Sequence, residues 1–306
     1  MKRLHLSNRL IALFLAIAML LTMAACGERA KPGEDEGPSS SDVSSQPKVP
    51  AFINPLEDVD LTPVAEPVAP EGELLEKLNK AYNVNNDVVG WIRVPDTLID
   101  NEVLQYVSTP PQASDNLYYE RKDINKNYSF YGCYWADYEN KIGNRNELSQ
   151  NTIIYGHSMS DTIRDDPEQD KFTQLKKYLD IEWAKKHPYI YFSTAEDDMT
   201  WKVFAVSYVD TKLSYNLPEY KDQNFNELIA ELKDCSQFDI DVDVTPSDKI
   251  LILSTCTYPT GYTNKAIDEA TKFLVVARLV RPGEATPDTV EITANPLEEP
   301  EEEVLD

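Results

Sequence analysis

The run Lys249-Ile-Leu-Ile-Leu-Ser-Thr-Cys-Thr-Tyr258 constrains this chain more than any other stretch. Its consecutive Ile and Leu residues leave no polar face for water, so the run reads as a buried strand. The apolar pattern stops at Cys256. That places a thiol at the mouth of a strand, rigidly held yet able to face a cleft. A second short run, Asn151-Thr-Ile-Ile-Tyr-Gly-His-Ser-Met159, delivers His157 at its end in the same way. A thiol and an imidazole, each at a strand end, are the pair that thiol-based acyl transfer needs. The rest of the chain then reads as a scaffold that brings Cys256 and His157 together. Of the other histidines, His5 lies near the N-terminus and His187 in Lys185-Lys-His-Pro188, which reads as surface.

The ends of the chain carry a different kind of information. Lys2, Arg3 and Arg9 precede an apolar stretch from Ile11 to Leu21, a signal-sequence pattern too short for a comfortable membrane span. Thr22-Met-Ala-Ala-Cys-Gly27 follows and resembles a bacterial lipoprotein cleavage site, with residues 1–25 as the signal and Cys26 as the lipidated residue. An uncleaved signal anchor is the other reading. Both put the remainder on the extracellular face of the cytoplasmic membrane. Residues 26–70 are rich in Pro and Ser and poor in large apolar groups, which predicts a disordered tether. Residues 282–306 hold nine acids and no Lys or Arg, which predicts a solvated, disordered tail.

The net charge of −24 argues against nucleic acid as a partner. Besides Cys26 and Cys256 there are Cys133 and Cys235, which read as small buried apolar residues; a disulfide between them has no positive support. No Cys/His cluster has metal-ligand spacing. Asp161, Asp165 and Asp166 read as solvated loop acids, so neither a metal nor a cofactor is expected.

Between the ends, residues 71–281 read as one domain. Glu71–Tyr82 has a helical stripe of Leu74, Leu75, Leu78 and Tyr82. Strands are expected at Val88–Val94, Leu98–Gln105, Tyr118–Arg121, Tyr131–Ala136, Asn151–Tyr155, Tyr189–Ser193, Thr200–Val209, the Cys256 run and Lys272–Arg281. Asp170–Leu179 and Phe225–Cys235 read as helices, the second with Leu228, Ile229 and Leu232 inward. Many short strands with a few interspersed helices predict a mainly β fold closed, or nearly closed, into a barrel.

The motifs Tyr155-Gly-His-Ser-Met159 and Leu253-Ser-Thr-Cys-Thr-Tyr258, followed by Phe273-Leu-Val-Val-Ala-Arg-Leu-Val280, resemble those of the sortases, cysteine transpeptidases of Gram-positive cell surfaces. Asn86-Asp-Val-Val-Gly-Trp-Ile-Arg-Val-Pro95 and Phe172-Thr-Gln-Leu-Lys-Lys-Tyr178 support the likeness, and the helix ahead of the cysteine strand looks like class B. The resemblance covers about Glu71 to Arg281. It implies an eight-stranded barrel with an N-terminal helix, a few peripheral helices and the site at one mouth. It implies that Cys256 attacks a sorting-signal peptide, LPxTG- or NPxTx-like, and that an amine from a peptidoglycan precursor or a pilin-like protein resolves the thioester. Ser254, Thr255 and Tyr258 are the expected substrate-side neighbours of the nucleophile.

One position departs from the family. Sortases carry an arginine at the start of the last strand, aimed at the site, and here that position reads Lys272. Arg278, on the same strand face, is about 20 Å further along an extended chain. Lysine offers the charge without the rigid fork of donors. Two functional classes therefore stay open: an enzyme that uses Lys272, and a peptide-binding lipoprotein with little or no turnover. A thiol hydrolase that uses water in place of an amine would carry the same residues.

Overall fold

The computed structural model describes residues 65–110, 113–158, 167–261 and 263–295. The signal, Cys26 and nearly all of the tether lie outside the described residues, as do Asp161, Asp165 and Asp166 and the last eleven residues.

Eight strands close into a barrel: β1 (Val88–Arg93), β2 (Asp100–Leu104), β3 (Tyr134–Ala136), β4 (Asn151–Tyr155), β5 (Tyr189–Ser193), β6 (Thr200–Asp210), β8 (Ile250–Cys256) and β9 (Thr271–Leu279). The order around the barrel is β1-β2-β3-β4-β8-β9-β6-β5. Most neighbours are antiparallel, whereas β2–β3 and β4–β8 are parallel. β7 (Phe238–Ile240) and β10 (Ile292–Ala294) form a separate two-stranded sheet. The closed, mainly β architecture expected from the strand count is the one observed.

The reason for closure is visible in the burial. From Ile250 to Thr255 every residue of β8 is buried, and only Cys256 at its end is partly exposed. β8 lies between β4 and β9, so its backbone is paired on both edges while side chains on both faces are covered. Ile92, Phe192, Trp201, Phe204, Leu253 and Phe273 meet in the main core, each at most 1 % exposed. A smaller cluster of Ala81, Val88, Leu104, Tyr119, Cys133 and Trp135 lies under α1 (Gly72–Val84). The inward stripe of α1 contains Leu78 and Ala81; Tyr82, expected on it, is 56 % exposed. Three further helices, α2 (Ile181–Lys186), α3 (Asp222–Asp234) and α4 (Lys265–Ala270), sit at the periphery. α3 buries Phe225, Leu228, Ile229 and Leu232, the face its periodicity predicts. Phe172–Leu179 winds as a 3₁₀ helix.

Three expectations are corrected. Tyr118–Arg121 is not a strand: Glu120 N donates to Leu117 O at 3.3 Å and Lys122 N to Tyr119 O at 3.4 Å, local turn bonds that replace a ladder. His187 is not a surface residue. It is 9 % exposed, stacked on Trp183 at 3.8 Å, with Nδ1 2.7 Å from Trp183 O and Nε2 2.8 Å from Asp96 Oδ2.

The third concerns both borders of the domain. Val68, expected in the tether, accepts from Asp198 N at 2.6 Å and donates to Asp197 Oδ1 at 3.1 Å. Residues 282–295, expected to be solvated, include β10 and Glu284, which receives two bonds from Arg278 at 2.7 and 2.9 Å. The guanidinium of Arg278 is 1 % exposed and needs an anion there. That requirement fixes the start of the acidic segment against the barrel.

Candidate active site

Three adjacent strands, β4, β8 and β9, hold the candidate residues. β8 and β9 pair antiparallel with Cys256 opposite Lys272, and Lys272 Nζ donates to Cys256 Sγ at 3.1 Å. On the other edge β4 runs parallel to β8, with Tyr155 opposite Ser254. His157 is two residues past Tyr155, and Cys256 is two residues past Ser254. Gly156 is bonded to both Ser254 and Thr255, so the chain carrying His157 leaves β4 alongside the end of β8. Cys256 is thus paired with Lys272 across β8–β9, while His157 lies two residues beyond the end of β4; all three are half-buried.

The local sequence explains the register. Gly156 lets the chain leave β4 tightly: a Cβ there would come within 2.8 Å of the Phe172 and Tyr134 rings. Gly156 N donates to Ser254 O at 3.3 Å, and the Thr255 hydroxyl donates to Gly156 O at 2.7 Å. Phe172 N donates to His157 O at 2.9 Å. Ser254 and Thr255 are each 3 % exposed, and the Ser254 hydroxyl lies 2.9 Å from Tyr215 OH. Their hydroxyls therefore bind strand β4 and the core beside it. Tyr258 is half-buried on the loop beyond the nucleophile.

The histidine ring is fixed on two sides. Nε2 lies 2.7 Å from Glu120 O, and Trp135 meets the ring edge-on at 5.9 Å. Burial pushes the His157 pKa below its usual 6.5, partly opposed by the Glu120 carbonyl, while nearby Arg121 and Lys171 add to the lowering. The neutral imidazole, able to accept a proton, is favoured. Trp135 is itself 8 % exposed, and its Nε1 has no partner among the described residues.

Sequence reasoning missed Lys176, which is 3 % exposed and donates to Thr257 Oγ1 at 2.7 Å while lying 3.8 Å from the Phe273 ring centre. Its position in Phe172-Thr-Gln-Leu-Lys-Lys-Tyr178 looks like an ordinary solvent-facing lysine. Only the tertiary fold shows that it reaches the residue after the nucleophile. Arg278 lies at the opposite end of β9, opposite Ile250, locked to Glu284. It does not reach the site.

The three described cysteines are free. Cys133 is buried and its thiol is pushed up to about 12, chiefly by burial. Among the described residues no cluster of His, Cys, Asp or Glu could hold a metal ion, and no helix is long and apolar enough to cross a membrane.

A family model described as the sortase domain matches residues 92–280, well over half of the chain. The chain belongs to the sortase family. Sortase B of Staphylococcus aureus is 31 % identical over 218 residues, covering 71 % of this chain and 77 % of that protein. Sortase B of Listeria monocytogenes is 32 % identical over 187 residues, covering 60 % and 69 %. Among solved structures, an S. aureus sortase B–substrate complex superposes with a TM-score of 0.56 at 26 % identity, covering 68 % of this chain and 86 % of that one. A Bacillus anthracis protein described as similar to sortase B gives 0.55 at 28 % identity, covering 72 % and 89 %. The eight-stranded sortase barrel and the class B character are therefore both properties of this chain. The family and its sortase B relatives support a transpeptidase on a sortase fold.

Proposed function

We propose that the protein is a surface-displayed cysteine transpeptidase in which Cys256, His157 and Lys272 carry the chemistry. The observation that carries the reading is the 3.1 Å contact of the Lys272 ammonium with the Cys256 sulfur at the end of β8. An ammonium against the sulfur can balance negative charge that develops there, and a neutral imidazole can take the thiol proton.

The thiolate attacks the carbonyl of a threonine in a sorting signal, LPxTG- or NPxTx-like. A C–S bond forms and the carbonyl electrons move to oxygen. In this reading Lys272 meets that oxyanion or the neighbouring peptide carbonyls. Collapse breaks the C–N bond, and His157 gives its proton to the leaving amine. An amine from a peptidoglycan precursor or a pilin-like protein then attacks the thioester, His157 accepts a proton, and the thiolate is regenerated. Structures of S. aureus sortase B with substrate, and of sortase B with triglycine, support this division into a peptide donor and an amine acceptor. The signal and Thr22-Met-Ala-Ala-Cys-Gly27 support lipid anchoring through Cys26 on the extracellular face of the membrane, with an N-terminal signal anchor as the alternative.

The replacement of the family's arginine favours a second reading, peptide binding without turnover. The Lys272–Cys256 contact supports turnover instead, because it keeps an ammonium against the sulfur. The test is to incubate the purified protein with a panel of sorting-motif peptides, with and without an oligoglycine amine, and to follow adducts on Cys256 by mass spectrometry. A thioester that converts to an amide-linked product is expected, and Cys256→Ala should abolish it. Conversion only to free acid would make the protein a hydrolase. Peptide binding with no adduct across the panel would leave only the binding reading.

A further inference from the structure

The histidine of the site is held by main chain. His157 Nε2 lies 2.7 Å from the carbonyl oxygen of Glu120, and a carbonyl can only accept. The contact therefore requires a hydrogen on Nε2. In a neutral imidazole the other nitrogen, Nδ1, is then bare. Among the described residues Nδ1 has no hydrogen-bond partner.

The Glu120 carbonyl is itself held from behind. In the connection from β2 to β3, the segment from Tyr119 to Cys133 closes on itself: Cys133 N donates to Tyr119 O at 3.2 Å. Tyr119 is 1 % exposed and its hydroxyl donates to Asp87 Oδ2 at 2.5 Å. Within the segment, Ser129 N donates to Arg121 O at 3.0 Å and the Arg121 guanidinium donates to Phe130 O at 2.7 Å. Gly132 lies directly against the Glu120 peptide. Its φ is +57°, and a Cβ would come 2.2 Å from Glu120 O and 2.9 Å from Tyr119 O. No side chain fits there unless the Glu120 carbonyl moves.

We propose that the Glu120 carbonyl, kept in place by Gly132, is the positioning group of the site: it makes Nε2 a permanent donor and Nδ1 the nitrogen that exchanges protons. The inference rests on the transpeptidase reading and specifies how its histidine works. In acylation the S–H proton of Cys256 passes to Nδ1 as the C–S bond forms. The imidazolium then carries hydrogen on both nitrogens, and the Nε2–H···O=C bond strengthens because its donor is charged. The Nδ1 proton leaves with the amine when the C–N bond breaks. In the second half-reaction the incoming amine returns a proton to Nδ1 and the thiolate departs. The ring keeps its Nε2 partner throughout. A neutral carbonyl thus does the orienting that a carboxylate does in Ser-His-Asp sites, with less stabilisation of the imidazolium.

The test uses the full-length protein labelled with ¹⁵N-histidine. The chain has three histidines, and loss of a signal in His157→Gln identifies the one in question. Two-bond ¹H–¹⁵N correlation of the neutral ring is expected to show a protonated Nε2 and a pyridine-like Nδ1. A protonated Nδ1 would overturn the proposal. In parallel, Gly132→Ala is expected to lower the kcat of thioester formation about 10–100-fold, to leave KM for the peptide within about threefold, and to mix the tautomer signals. Full activity with an unchanged tautomer would overturn it as well. If Gly132→Ala fails to fold, the tautomer of the unaltered protein still decides. Failure of the unaltered protein to form any thioester would sink the transpeptidase reading and leave the tautomer assignment standing. A protonated Nδ1 in a protein that does form the thioester would sink the positioning proposal alone.

Discussion

Lys272 stands directly opposite Cys256 across the β8–β9 pair, with its Nζ 3.1 Å from the sulfur. The cation is second in its strand and the thiol last in its own, so the backbone pairing sets their approach. The resemblance puts the family's arginine at this position, and a lysine here delivers the charge from a single mobile point.

Removing that charge tests its role. Lys272→Ala is expected to slow thioester formation about 10²–10³-fold, the scale of one lost oxyanion donor. Lys272→Arg should stay within about tenfold of the parent, because the charge and most donors remain. Single-turnover mass spectrometry of the Cys256 adduct measures both. Equal rates in all three proteins would remove Lys272 from the chemistry.

The pH profile follows from His157. Its pKa is lowered from 6.5, first by burial, and the neutral form is the one that accepts a proton. The rate of thioester formation should therefore fall as pH drops through a value below 6.5, and His157→Gln should lose that limb. The same sign applies to stability. The neutral ring is favoured by folding, so its contribution is present above the unfolded value and is lost as pH falls below it. An acid limb centred above 6.5 would contradict the assignment.

Thiol chemistry should be selective. Cys133 is buried and pushed up to about 12, and the half-buried Cys235 is also raised, by burial and by Glu231. A small alkylating reagent at neutral pH should label Cys256 at least about tenfold faster than either. Peptide mapping after brief exposure reads the ratio. Earlier labelling of Cys133 would mean that the core around it opens.

Glu284 guards the far end of the barrel. Its carboxylate is held at about 2; burial alone would raise it, but the Arg278 guanidinium dominates in the opposite sense. Glu284→Gln should cost about 3 kcal/mol of stability, since the buried cation loses its anion. The contribution of the native pair is complete above the ordinary value of 4.5 and is lost as pH falls from there toward about 2. Thermal melts of parent and variant across that window measure it. A chain ending at Arg281 should behave like the variant or worse, because it also lacks β10.

The strand ends were legible because their signal is local. A run such as Ile250–Leu253 has to be buried wherever it goes, and it carries on through two small hydroxyl residues to a cysteine. Tyr118–Arg121 misled for the same local reason. Aromatic residues raise strand propensity, but here Tyr118 stacks on Tyr106 at 3.7 Å while the chain turns. The acidic segment misled through its composition, which conceals that one of its carboxylates answers a buried arginine.

By itself the sequence determined the family and the closed barrel and singled out Cys256 as the candidate nucleophile, since burial patterns and motif order are written in consecutive residues. Only the tertiary structure decided that Lys272 meets the sulfur, that Lys176 reaches Thr257, and that the partner of His157 is the Glu120 carbonyl. Strand register fixes the first and the docking of a helix the second. The third uses a main-chain oxygen, which every residue carries and no letter of the sequence can mark.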